Sequence, residues 1–211
     1  MMDETAKGFT RSEWAVLIFT LGYVSGFAVY FFSIGNQEFI GYIGTMLAFM
    51  LLIGLGARAA EFPAFLLWAL SFWGLAHMAG GSVEVDGAVL YAYRFLPLVG
   101  DGELTLLKYD QVVHFYGFAV AALVLRHILL RSHPQLWGSK CLFVYSFLGS
   151  MGLGALNEVI EFTAVVVLPD TNVGGYYNTG LDLVFNMAGA FSATLGATLL
   201  SRPPSPVPPS A

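Results

Sequence analysis

The run from Cys141 to Leu168 spans 28 residues and carries only two charged side chains, Glu158 and Glu161, both well inside it. About 20 mainly apolar residues suffice for a helix to cross a ~30 Å hydrocarbon core. The run is therefore long enough to span a bilayer, with two carboxylates and the amide of Asn157 where hydrocarbon belongs. An ionisable group at that depth costs at least ~2.5–3.5 kcal/mol. Whatever the chain folds into must offset that cost with partners from other segments.

The rest of the sequence repeats the long apolar pattern. Further spans are expected over Trp14–Ile34, about Phe39–Gly56, Pro63 to about Ala79, Asp110 to about Leu130, and Leu181–Leu200. Gly35-Asn36-Gln37-Glu38 reads as a tight turn, and Pro63 is placed to open the third helix. With 57% hydrophobic and 11% charged residues and a mean hydropathy of +0.71, the 211-residue chain lacks the charge to cover a soluble surface. The fold class is thus an all-α integral membrane protein, a bundle of six transmembrane helices. Residues 1–200 form one domain, and residues 201–211 a disordered proline-rich tail. Asp3, Glu4 and Glu13 dilute the basic region that a cleavable signal peptide needs, so the first span is read as permanent.

The longest connection, Gly80 to Tyr109, contains Asp86-Gly87 between Val83-Glu84-Val85 and Ala88-Val89-Leu90-Tyr91, a two-residue hairpin signal. Gly80 and Gly81 are expected to end the preceding helix. Placing both termini in the cytoplasm puts Lys7, Arg11, Arg58, Arg126, Arg131, Lys140 and Arg202 inside and only Arg94 and Lys108 outside. Location in the cell membrane follows, the inner membrane for a bacterial source, with the hairpin loop on the outer side. Arg126, His127 and Arg131 read as headgroup anchors. The lone Cys141 reads as a packing residue, and Trp14, Trp68, Trp73 and Trp137 as belt or packing residues. A net charge of −5 argues against a nucleic-acid partner. Composition says nothing of oligomeric state.

Topology gives the polar residues a common level. Asp110 and His114 stand one turn apart at the start of the fourth helix, as do Asp182 and Asn186 in the sixth; Glu158 and Glu161 share a face near Asn157. At ~1.5 Å per residue, Glu161 and Glu158 lie ~10 and ~15 Å below the outer end of their helix. His77 lies near the outer end of the third, either as a ligand or bonded to a backbone carbonyl. Four helices so contribute to one cup open to the outer face, with Glu158 as its floor. Tyr176 and Tyr177 flank its mouth.

The series His77-x-x-Gly80-Gly81, Tyr109-Asp110-x-x-x-His114-Phe115, Asn157-Glu158-x-x-Glu161 and Asp182-x-x-x-Asn186-x-x-Gly189-Ala190 resembles the YjdF-type inner-membrane family. More distantly, it is similar to the VanZ-like membrane proteins linked to teicoplanin resistance. The resemblance runs from about Phe72 to Leu200 and implies a compact helical membrane protein without specifying an activity. Gly174 to Gly180 lacks the carboxylates that members of the family often carry before the last helix.

His114, Glu158, Glu161 and Asp182 are the candidate catalytic and metal-ligating residues, supported by Asp110, Asn157, Asn186 and His77. Carboxylate with imidazole suits Zn, Mn or Fe, and a divalent metal would polarise a phosphoryl or carbonyl oxygen. Without a metal, a glutamate held there would serve as general acid or base. The alternative is an interhelical hydrogen-bond network that fixes the bundle, but at roughly 0.6 kcal/mol per contact it offsets several buried acids only if they are protonated or paired. The expected activity is enzymatic, on a lipid or lipid-linked substrate at the outer leaflet. A transporter that passes an ion or protons, and a scaffold that docks a partner through the hairpin, are the alternatives.

Overall fold

The structure, a computed structural model, describes residues 9–35, 37–95, 105–168, 171 and 173–201. The proline-rich tail after Ser201, the middle of the hairpin loop (96–104) and, among the basic residues that set the orientation, Lys7, Arg202 and the Arg58 side chain lie outside that part.

The helices are α1 (Arg11–Ile34), α2 (Gln37–Ala60), α3 (Ala64–Ser82), α4 (Tyr109–Ser132), α5 (Lys140–Val167) and α6 (Tyr176–Leu200). Helices α1, α3, α4, α5 and α6 are each long and apolar enough to cross a membrane, and among the described residues of α2 an apolar stretch covers Ile43–Gly56. Local signals fix the ends. Thr10 and Glu13 form a reciprocal cap that starts α1 three residues before the apolar run, and Gly35 closes it in the left-handed conformation. Pro63 stands at the N-cap position of α3, where its fixed φ suits the helix entry, and the Ser139 hydroxyl accepts the Leu142 amide to open α5.

Burial is inverted relative to a soluble bundle. The buried face of α5 is Leu142, Ser146, Ser150, Gly154 and Glu158, a strict four-residue repeat of small and polar side chains. Its exposed face includes Val159, Phe162 and Val166. In α6 the buried stripe is Asn178, Asp182, Asn186, Gly189, Ala190 and Thr194. Lipid is as apolar as leucine, so large hydrophobic side chains gain nothing by turning inward, and close backbone approach through small residues holds the helices together. An ideal Cβ on Gly189 would stand 2.0 Å from the Phe115 carbonyl oxygen, so α6 lies directly against α4 there. The Ser150 hydroxyl bonds the Phe118 carbonyl at 2.7 Å and ties α5 to the same helix. Helices α4, α5 and α6 thus form a tight trio. On the other side α3 packs between α4 and α1, and among the described residues α2 touches the bundle least.

The hairpin forms as its turn residues dictate. Strands β1 (Glu84–Val85) and β2 (Ala88–Val89) pair antiparallel across Asp86 and Gly87, both with positive φ (54° and 80°). The chain then makes a single 3-10 turn, Leu90–Ala92. It returns to the bundle through an Arg94–Lys108 bridge.

Four expectations need correction. Gly80 and Gly81 do not end α3, which continues to Ser82; both are buried in the helix, and Gly80 leaves the space in which the Tyr91 ring sits. Helix α6 begins at Tyr176, five residues before the expected start at Leu181. Cys141 is exposed rather than packed. Arg126 is buried at 8% exposure instead of reaching for headgroups: its guanidinium lies 5.2 Å from the Trp137 ring centre and donates to the Ser201 hydroxyl. Arg131, by contrast, is half-exposed in an ion pair with Glu61, and His127 contacts the Ala60 carbonyl.

Candidate functional site

His114 is the hub. It projects from α4 and is 4% exposed, with acidic groups around both ring nitrogens. Nδ1 lies 3.0 Å from the Asn186 amide oxygen and 3.7 Å from Glu158 Oε1. Nε2 lies 3.5 Å from Asp110 Oδ1, one turn back on the same helix, and 3.9 Å from Glu161 Oε1. Asp182 approaches from α6. Two triads therefore share the imidazole, Asp110–His114–Asp182 and His114–Glu158–Glu161, and in each the ligand atoms lie within 4.8 Å of one another.

The amides position the acids. Asn157 donates to Glu161 Oε1 at 2.7 Å, one turn along α5. Asn178 donates to Asp182 Oδ2 at 2.5 Å and to Asp110 Oδ2 at 3.3 Å, so it clasps an acid from each of two helices. Its own oxygen accepts from the Lys108 ammonium at 2.8 Å. Lys108 is held by its place just ahead of α4, where its amide bonds Gln111 Oε1. Gln111, fully buried, in turn donates to the Thr105 carbonyl. Gly154 leaves the space that Asn186 occupies, since an ideal Cβ there would meet the amide nitrogen at 2.9 Å.

Sequence reasoning named eight residues. The structure brings Asp110, His114, Asn157, Glu158, Glu161, Asp182 and Asn186 into one cluster. His77 sits at its edge, where the Tyr91 hydroxyl lies 2.6 Å from Nδ1 and donates to the His77 carbonyl at 2.8 Å. The segment after the hairpin thus buttresses both the His77 ring and its backbone carbonyl through one hydroxyl. Asn178, Lys108 and Tyr91 were missed. Asn178 had a signal, since stepping back four residues along the Asn186–Asp182 stripe reaches it; the late start assigned to α6 hid it in a loop. Lys108 and Tyr91 had none, because a long loop carries them to the site.

Electrically the cluster is lopsided. Four carboxylates converge, and the ammonium bonded into their network is that of Lys108. Several buried atoms also lack a hydrogen-bond partner among the described residues: both Glu158 oxygens, Asp182 Oδ1 and the Asn186 amide nitrogen. Such groups are rare unless a ligand, ion or proton satisfies them. Two ligands each ~2.1 Å from one ion stand ~3–4 Å apart, which matches the His114–carboxylate distances. Hard oxygen donors with one imidazole fit a divalent ion such as Zn, Mn or Fe.

Helices of this length, lipid-facing apolar surfaces and an internal polar cluster define a multi-pass helical membrane protein. The chain belongs to the family described as Predicted membrane protein (DUF2238), which matches residues 15–202. An uncharacterized protein of Thermotoga maritima is 33% identical over 86 residues, a stretch covering 40% of this chain and 44% of that protein. The chain thus matches less than half the length of this curated relative. No solved structure matches. At this level the expectation of a helical membrane family without a specified activity holds; the comparisons do not carry the YjdF-type and VanZ-like names.

Proposed function

We propose that the protein is a metal-dependent membrane enzyme acting on a lipid or lipid-linked substrate, with His114 at the centre of its metal site. The observation that carries this reading is the convergence of four carboxylates on one buried imidazole, with both Glu158 oxygens and Asp182 Oδ1 hydrogen-bonded by no described donor. A divalent ion would relieve the excess negative charge, activate a water and polarise a phosphoryl or carbonyl oxygen. In this reading Asp110, His114 and Asp182, or His114, Glu158 and Glu161, hold the ion. A carboxylate left outside the coordination sphere moves the proton. Asn178 and Lys108 orient Asp182 and Asp110, and Lys108 offers a cation to an anionic substrate. The bundle has six spans with both termini in the cytoplasm, so the cluster opens outward beneath the hairpin. Kinship with the YjdF-type and VanZ-like proteins belongs to the same proposal.

An ion or proton pathway would need polar groups onward to the opposite face. Below the cluster the buried residues of α4 and α5 are Gly117, Phe118, Val120, Ala122, Ser150, Ser146 and Leu142, and none of these is acidic, basic or a histidine before Arg126 is reached. This favours an enzyme over a transporter. A scaffold role for the hairpin is also disfavoured, since Tyr91 at its base is committed to His77. Elemental analysis of the detergent-purified protein tests the proposal. A divalent metal should accompany the wild type and fall away in His114→Ala, and in Glu158→Gln too where the Glu158 triad holds it, both variants still helical by circular dichroism. Equal metal content in all three would overturn it.

A further inference from the structure

A cavity of about 200 Å³ lies between α1, α2 and α3, with α5 closing one end. Its walls are apolar, formed by Leu17, Phe49, Met50, Ile53, Leu67 and Leu70. The end toward the hairpin is polar, made by His77, Asn157 and Glu161, the last of these in the His114 cluster. We propose that this cavity holds one hydrocarbon chain of a membrane lipid whose polar group lies at Glu161 and His77. The inference deepens the enzymatic reading and rests on it for the identity of the lipid as substrate.

Three observations favour a hydrocarbon occupant. The cavity follows α1 from Glu13 to Tyr23, ten residues or ~15 Å, about the hydrocarbon thickness of one leaflet. Its far walls are pinned apart from the outer one. Thr20 and Ser71 join α1 to α3 by a 2.6 Å hydrogen bond, and the Tyr23 hydroxyl sits in the space left by Gly74. The outer wall, α2, contributes Gly54, beside which an ideal Cβ would meet nothing within 4 Å, and the flexible side chains of Met50 and of Met46, whose Cε shares the space at Gly74 with the Tyr23 hydroxyl. An apolar void at bilayer depth fills from the surrounding lipid, and this one leads a chain to the reactive cluster.

Photolabelling tests the inference. The full chain is placed in phosphatidylcholine nanodiscs containing phosphatidic acid with a diazirine at mid-chain, irradiated, and the adducts are mapped by mass spectrometry. Adducts should concentrate on 46–53 of α2 and 67–70 of α3. They should fall about tenfold in Gly54→Phe, whose ring displaces at least about two methylenes of the chain. Leu70→Trp should act alike and serves if Gly54→Phe fails to fold. Adducts on the lipid-facing Val159 and Val166 should not change. Wall labelling no greater than at Val159 and Val166, or unchanged in both variants, overturns the inference. Metal content separates the two readings: wall labelling in a metal-free wild type sinks the metal site and keeps the chain cavity, and metal without wall labelling does the reverse.

Discussion

Replacing Gly189 by alanine tests the fold and the site together. The added Cβ would lie 2.0 Å from the Phe115 carbonyl oxygen, a backbone atom that cannot rotate away. Ordinary contact begins at 3.4 Å, so α4 and α6 must part by about 1.4 Å. His114 precedes Phe115, and Asn186 lies one turn before Gly189, joined to His114 across 3.0 Å. A separation of that size carries the pair past the hydrogen-bonding range. Overpacking of this kind costs ~1–3 kcal/mol, and the lost contact about 0.6 kcal/mol more. Alanine's better helix propensity returns at most ~1 kcal/mol, leaving a net loss of roughly 1–3 kcal/mol. Gly196 is the internal control. It lies in the same helix, a Cβ there meets nothing within 4 Å, and Gly196→Ala should be neutral or up to ~1 kcal/mol stabilising. Unfolding in mixed micelles of increasing SDS fraction, followed by circular dichroism, measures both. If Gly189→Ala proves as stable as Gly196→Ala, the close α4–α6 crossing is wrong, and with it the alignment of His114 on Asn186.

The metal reading predicts a linkage effect. At one hundred times the dissociation constant, Zn or Mn should stabilise the wild type by ~2.7 kcal/mol, seen as a rise in thermal midpoint that EDTA reverses. A variant with hundredfold weaker affinity would keep only ~0.4 kcal/mol at the same metal concentration. Asp182→Asn and Glu158→Gln each break a different triad, so the one that loses the shift identifies the triad that binds; an undiminished shift in His114→Ala would refute the site. Tyr91→Phe removes the hydroxyl that contacts His77 twice. It should cost ~1–2 kcal/mol and speed amide exchange over 84–92 without altering exchange in α5. Unchanged protection of the hairpin would show that Tyr91 does not anchor it.

The helices were legible because burial in lipid leaves a one-dimensional record, a long run without charge, which needs no knowledge of neighbours. The hairpin was legible for a similar reason: Asp86-Gly87 supplies two residues tolerant of positive φ, whatever surrounds them. Interior polar residues were legible as anomalies, and spacing within each helix grouped them in pairs. What spacing could not supply was the relation between helices. Asn186 bonds His114 although it stands ten residues into α6 and His114 only five into α4, because the two helices start at different heights. Glycines misled for a related reason. Gly80 and Gly81 resemble a helix end when read locally, and Gly174 to Gly180 resembles a loop. Yet Gly80 serves an aromatic ring eleven residues away, and Gly180 lies inside the first turns of α6.

Arg126 shows the limit from the other side of the bundle. A basic residue near a helix end reads as a headgroup anchor, yet this one is enclosed by Trp137 and Ser201 while its neighbour Arg131 stays half-exposed with Glu61. Helical phase separates them: Arg126 falls on the buried face of α4 that runs through His114, Gly117, Phe118 and Ala122. That same face presents His114 to four carboxylates at one end and a guanidinium to an aromatic ring at the other. The polar interior of α4 is therefore one continuous face, interrupted by the small and apolar residues that let α5 and α6 close against it. A chain built only to span a membrane would have no reason to place an imidazole there, eight or so ångströms deep, among acids that α5 and α6 also supply. The cost of burying these groups on three helices is offset where a proton, a cation or a reacting group neutralises them.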